Sequence, residues 1–292
     1  MDLAVIAENY GQMTGVLAGF AFTALVLLLT PTQAQERAHA KTQNAGVPLT
    51  LFIAFIALVL TTLLYSVLAG ENAESRPRAA TVELINGLVF GLAVVMLLHG
   101  VSLLMLTANI ERSTVRIARF LTVVVIPTLA MYFIAQGASD TVAARAALNG
   151  EPCVAAVPPL GLWLSAAAAL TSAISLSAPV QRVIARYSAA SRVGAPLAVF
   201  VATVMASIIS GFIGTRSAAF IMSPTALNLY LIGAAVTLIT IGLMLSASSI
   251  LTAPSEPDEA TTPNVRTQQT LTAVERDPAA PAKAPQEAEP SD

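Results

Sequence analysis

From Leu84 to Ile110 the chain reads LINGLVFGLAVVMLLHGVSLLMLTANI, a run without an Asp, Glu, Lys or Arg. About 20 mostly apolar residues in a helix cross a hydrocarbon core about 30 Å thick. This stretch exceeds that requirement. Six further charge-free windows flank it, at 9–35, 42–70, 120–139, 152–181, 193–215 and 217–255. Together they predict an all-α polytopic integral membrane protein. Its seven transmembrane helices fall near 11–30, 48–69, 81–107, 119–138, 158–178, 194–215 and 226–250.

The composition agrees. Of 292 residues, 55% are hydrophobic and only 11% charged, and mean hydropathy is +0.74. Soluble domains average about 25% charged residues. The net charge of −2 hides a split. Residues 1–251 carry 12 basic and 9 acidic side chains, whereas 252–292 carry three basic and eight acidic ones. No basic footprint for nucleic acid results. The single cysteine, Cys153, excludes an intrachain disulfide. Arg outnumbers Lys 13 to 2, a bias expected of a GC-rich bacterial genome. The start lacks a basic n-region, so the first apolar run is expected to remain as a helix rather than be cleaved.

Proline and glycine punctuate the spans: Pro31, Gly70 and Pro179 follow spans, and Pro158, Pro159 and Pro224 open them. Proline suits a first helical turn, where its missing N–H has no partner anyway. Pro127 lies inside the fourth span and should kink it or leave a carbonyl for a neighbour to satisfy.

Seven crossings put the termini on opposite sides, and the basic residues choose between the two orientations. The side holding loops 31–47, 108–118 (with the adjoining Arg119) and 179–193 and the tail carries eleven Lys and Arg, against four on the other. The expectation is an N-terminus outside and a C-terminus in the cytoplasm of a bacterial plasma membrane. Arg112, Arg116 and Arg119 share one helical face, and Arg182 and Arg186 repeat the four-residue spacing. Both groups are candidate contacts for anionic lipid headgroups, or ordinary positive-inside anchors. Residues 252–292, rich in Pro, Ala, Thr and acids, read as a disordered acidic cytoplasmic tail. No internal repeat is evident.

Small and polar residues form stripes when each span is wound at about 100° per residue. In the first span Glu8, Gln12, Gly15, Gly19 and Thr23 fall on one side and Leu17, Ala21, Ala24, Leu25 and Leu28 on the other. The third carries Gly87-x-x-x-Gly91, with Ser102 and Asn109. The sixth aligns Thr203, Ala206, Ser207, Ser210 and Gly214, and the seventh Tyr230, Gly233, Thr237, Thr240 and Ser248. Such stripes serve close helix packing or line a cavity. Ionisable groups within the bilayer are costly and flag sites. Glu8 and Glu83 are candidates for an acidic outer mouth. His99 is a candidate proton or ligand site, or a histidine hydrogen-bonded to a neighbouring helix.

Several chemistries are excluded. Retinal needs a lysine in the last span, which has none, and no Asp falls within the expected spans. A rhomboid-type serine site lacks its glycine two residues before Ser210. Two histidines and one cysteine offer no protein-only zinc or haem site, and no phosphate-binding glycine loop occurs. The expectation is therefore a non-enzymatic accessory or scaffold bundle without cofactor or metal. Its partners would be membrane lipids and a second copy or another membrane protein, and no nucleic acid. The alternative is a channel or small transporter with Glu8, Gln12, Thr23, Glu83 and His99 as pore or polar-site residues.

Overall fold

Charge-free runs with no water to hydrogen-bond their backbone must satisfy every N–H and C=O internally, and the helix does so. The computed structural model describes residues 3–30, 46–71, 75–108, 110–152 and 157–248, which are mostly helix joined by short connections, without a strand. The tail 252–292, the loop bearing Arg37 and Lys41, Cys153 and Asn109 lie outside the described residues, as does the side chain of Arg112.

The elements are α1 (Leu3–Leu29), α2 (Gly46–Ala69), α3 (Arg76–Thr107), α4 (Arg112–Phe120), a π-helical turn (Leu121–Val125), α5 (Ile126–Leu148), α6 (Pro159–Ser175), α7 (Ala178–Ile184), a 3-10 turn (Ala185–Tyr187), α8 (Ser188–Gly214) and α9 (Pro224–Ser248). Among the described residues six apolar helices are of membrane length, with α4 through α5 forming one continuous rod. The shorter α6 has 17 residues, a rise of about 25 Å. The protein is a multi-pass helical membrane bundle.

Most helices outrun their charge-free windows. α1 begins at Leu3 rather than near residue 11, α8 at Ser188 rather than 194, and α5 runs on to Leu148 rather than 138. Loss of charge marks the hydrocarbon slab, whereas a helix continues into the interface as long as its backbone stays paired. The extension of α5 matters most, because it brings Asp140 and Arg145 onto a helix that the window 120–139 ends before.

Successive helices alternate in direction. At one end, the amino end, Arg78 Nη1 donates to the Arg216 carbonyl at 2.6 Å and Tyr230 Oη to the Leu84 carbonyl at 2.9 Å. At the opposite, carboxyl end, His99 Nε2 lies 3.0 Å from Ser248 Oγ, and Ser246 Oγ lies 3.4 Å from the Ser175 carbonyl. α6 therefore reaches the same end as α9 and counts as a crossing.

α3 is the most buried of the long helices and α1 the least. Around α3 runs an incomplete ring in the order α1, α2, α8, α9, α6, α5, each packed on the next. The ring does not close, because α1 and α5 have no substantial contact. Leu51, Leu58, Leu92, Met96, Met131, Leu238 and Leu245 fill the core. At Gly91 a Cβ would stand 2.8 Å from Ala130 Cβ, whereas Gly87 has nothing within 4 Å, so it is Gly91 that brings α3 and α5 close. α5 ends at Asn149–Gly150, where φ of +72° suits only glycine comfortably.

Pro127 has no N–H for the carbonyl four residues back. The chain accommodates it with the π turn immediately before, in which the Ile126 N–H bonds the Leu121 carbonyl five residues away. Proline is thus absorbed by a local change of pitch.

The stripe of α1 departs from expectation. Glu8, Gln12, Gly15, Gly19 and Thr23 are exposed, and the helix instead buries Ala7, Gly11, Thr14, Ala18 and Ala21. This second small-residue row lies one residue, about 100°, around the axis. It packs on α2, where Thr62 Oγ1 donates to Thr14 Oγ1 at 2.9 Å. Thr23 turns its hydroxyl back to the Gly19 carbonyl at 2.9 Å, which lets it face lipid. Gly15 and Gly19 form a shallow apolar trough with Phe22, Phe55 and Thr62. In α8 the expected stripe does face inward: Thr203, Ala206 and Ser210 are buried, and Ser210 Oγ donates to Asn86 Oδ1 at 2.8 Å. In α9 only part of it does: Ser248 is buried and Tyr230 and Thr237 partly so, whereas Gly233 and Thr240 are exposed, and Leu231, Ala234, Leu238 and Ile241 fill the buried side.

Candidate functional site

Where the ring fails to close, α3 shows its one accessible face. Glu83, Gly87, Phe90 and Val94 are its partly exposed residues there, set among buried neighbours. Their four- and three-residue spacing is one helical stripe. Facing it across the gap are Ile6, Tyr10 and Met13 of α1 and Leu129, Phe133, Gln136, Gly137 and Asp140 of α5. The result is a cleft of about 430 Å³. Its rim residues Met13, Leu129 and Phe133 are exposed, so it opens sideways from the bundle.

The walls are apolar and aromatic. Tyr10 stacks on Tyr65 with ring centroids 5.3 Å apart and meets Phe90 edge-on at 5.6 Å. The polar groups gather toward the amino end: Glu83 on α3, and Gln136 and Asp140 one turn apart on α5. A second cavity of about 430 Å³ shares Ile6 and Asp140 and extends the cleft past Ala143 to Arg76. Glu83 is partly buried. Its Oε2 is wholly buried without a hydrogen-bond partner among the described residues. A carboxyl in that condition carries a desolvation cost that a ligand donor or cation would relieve.

A second polar cluster lies at the carboxyl end. Arg119 Nη2 donates to Gln181 Oε1 at 2.6 Å and to the Ser246 carbonyl at 3.0 Å. Gln181 Nε2 donates to Ser246 Oγ at 2.8 Å and to the Ser175 carbonyl. His99 is buried and pairs with Ser248 as above. Ser102 Oγ and Thr122 Oγ1 are 3.1 Å apart. Beside them a pocket of about 180 Å³ is lined by His99, Ser102, Arg116, Arg119 and Thr122.

The sequence-derived candidates therefore separate into three places. Glu83 enters the lateral cleft. His99, Arg116 and Arg119 meet at the carboxyl-end pocket. Glu8, Gln12 and Thr23 lie on the outward side of α1, where Gln12 Nε2 donates weakly to Glu8 Oε1 at 3.4 Å; none of the three lines the cleft. Arg182 and Arg186 are exposed on α7 and the 3-10 turn and do not line the Arg119 pocket. Sequence reasoning missed Asp140, Gln136 and the ring of Tyr10, Tyr65 and Phe90. The available signal was the i, i+4 pair of Gln136, inside the fourth window, and Asp140, just past it, in register with Phe133.

Among the described residues no group of three or more His, Cys, Asp or Glu side chains is placed to hold a metal ion. The arrangement offers recognition: a carboxyl pair and an amide at one end of an aromatic slot. No protein-family model, curated protein or solved structure matches this chain.

Proposed function

We propose that this protein works by binding rather than by chemistry, as a non-enzymatic bundle of a bacterial plasma membrane with its N-terminus outside. The lateral cleft between α1 and α5 holds an amphiphilic molecule with a cationic head. The observation that carries this reading is the Glu83 carboxyl, whose buried Oε2 has no partner among the described residues, in a sideways-opening aromatic cleft. A cationic head placed at Glu83 and Asp140 would offset the desolvation of the carboxylates. Tyr10, Tyr65 and Phe90 present ring faces and edges, and cations favour the faces. The apolar part of the ligand would lie along Val94, Leu129 and Phe133, reached from the bilayer through the open side. The permeation reading draws no support from α1, whose polar stripe faces away from the cleft.

The test is equilibrium binding of a long-chain quaternary ammonium amphiphile to the purified full chain in nanodiscs, beside an uncharged amphiphile of equal chain length. Glu83→Gln should weaken binding of the cation by about tenfold or more, the scale of one lost charged contact. It should leave the neutral amphiphile unchanged. Equal cation affinity in wild type and variant would reject the reading.

A further inference from the structure

The carboxyl-end pocket has a charge that no other described residue compensates. The side chain of Arg119 is half-buried, and its Nη2 partners are an amide oxygen and a backbone carbonyl, both neutral. Its Nε is wholly buried with no partner among the described residues. The Arg78–Glu71 contact is the only ion pair among them, so no carboxylate among the described residues pairs with Arg119. Charges taken out of water are ordinarily paired, and a guanidinium with a free N–H edge is built to take a second acceptor. Arg116, one turn earlier on α4, lines the same pocket and is exposed at its mouth. Ser102, Thr122 and His99 supply the remaining polar lining.

The surroundings indicate where the balancing anion comes from. Ile117, Phe120 and Leu121, on the same rod as the two arginines, are exposed large apolar side chains. A short helix with arginines beside exposed apolar residues suits the boundary between headgroups and acyl chains. The π turn at Leu121–Val125 contributes Thr122 and Val123 to the pocket wall, so the adjustment that accommodates Pro127 also shapes this cavity.

We propose that the pocket formed by α3, α4 and the π turn is a phosphate site, in which Arg119 and Arg116 grip the phosphate of an anionic lipid headgroup. It is separate from the lateral cleft, at the other end of α3. A free phosphate would satisfy the same donors, so the experiment distinguishes the two sources.

The full chain, purified in a neutral detergent, is titrated with phosphatidylglycerol and with diacylglycerol of the same chains, and retained lipid is read by native mass spectrometry. Thermal unfolding with inorganic phosphate is measured in parallel. Phosphatidylglycerol should bind the wild type about tenfold or more tightly than Arg116→Gln or Arg119→Gln. Arg216→Gln, an exposed side chain at the opposite end of the bundle, should match the wild type, and diacylglycerol should not distinguish the proteins. Phosphate that stabilises the wild type and displaces the lipid would assign a soluble source to the same site; lipid retention without that effect would assign the headgroup. Arg116→Gln alters an exposed side chain and so keeps the test valid if Arg119→Gln does not fold. Equal phosphatidylglycerol affinity in wild type and both variants, with no stabilisation by phosphate, overturns the proposal.

Discussion

Arg78 is the residue that ties the amino end together. Its Nη2 meets Glu71 Oε1 at 2.9 Å and Oε2 at 2.6 Å, and its Nη1 holds the Arg216 carbonyl. Glu71, just past α2, is thereby joined through α3 to the turn after α8. Burial pushes the Glu71 carboxyl up, but hydrogen bonds from Arg78 and Ser75 and the Arg78 charge outweigh it and hold the group below its ordinary value. A carboxyl lowered on folding stabilises fully above its unfolded pKa, and that contribution is lost as pH falls through the folded value. Glu71→Gln should thus cost up to about 1 kcal/mol at pH 7. The difference from wild type should close below about pH 4, as read by thermal unfolding in detergent at pH 7 and pH 3. A difference that persists at pH 3 would show that the ionised carboxyl is not what stabilises. At this scale the residues of interest were partly legible from sequence. Glu83 and His99 stand out as ionisable groups among apolar neighbours, because such groups are costly in a bilayer. Asp140 does not, since only the course of α5 past its charge-free window carries it to the cleft.

Among the elements, α1 shows the limit of periodicity. Two rows of small residues run along it, one residue out of phase, and both fit a packing face. The row with Ala7, Gly11, Thr14, Ala18 and Ala21 is buried because α2 offers it Thr62 and a matching surface. Ala21 is wholly buried and has no room for a larger side chain. Ala21→Leu should destabilise the protein by about 1–3 kcal/mol, whereas Thr23→Leu on the outward face should change stability by less than about 0.5 kcal/mol. Denaturant unfolding of the two variants separates these outcomes, and the reverse order would mean that α1 is rotated. Pro127 was readable as a disturbance of the fourth span, because a missing N–H is a property of the residue. That the disturbance takes the form of a π turn is set by the helices around it.

On the scale of the whole molecule, the proposed orientation rests on the distribution of Lys and Arg, eleven on one side against four on the other. In the sequence the lone Cys153 falls within 139–157, a loop that the count of basic residues assigns to the outer side. A membrane-impermeant maleimide should therefore label it in intact cells; labelling only after permeabilisation would reverse the orientation. The number and order of the crossings are legible in the residues alone, because a bilayer accepts only long runs with internally paired backbone. Which faces meet is not legible there. Lipid and protein interior are equally apolar, so burial leaves no hydrophobic contrast along a span, and packing of small residues decides instead. The incomplete ring around α3, the cleft it leaves between α1 and α5, and the meeting of Arg119 with Gln181 and Ser246 join residues far apart in the chain. Those features were decided only when seven similar helices found the one arrangement in which their shapes and hydrogen bonds agree.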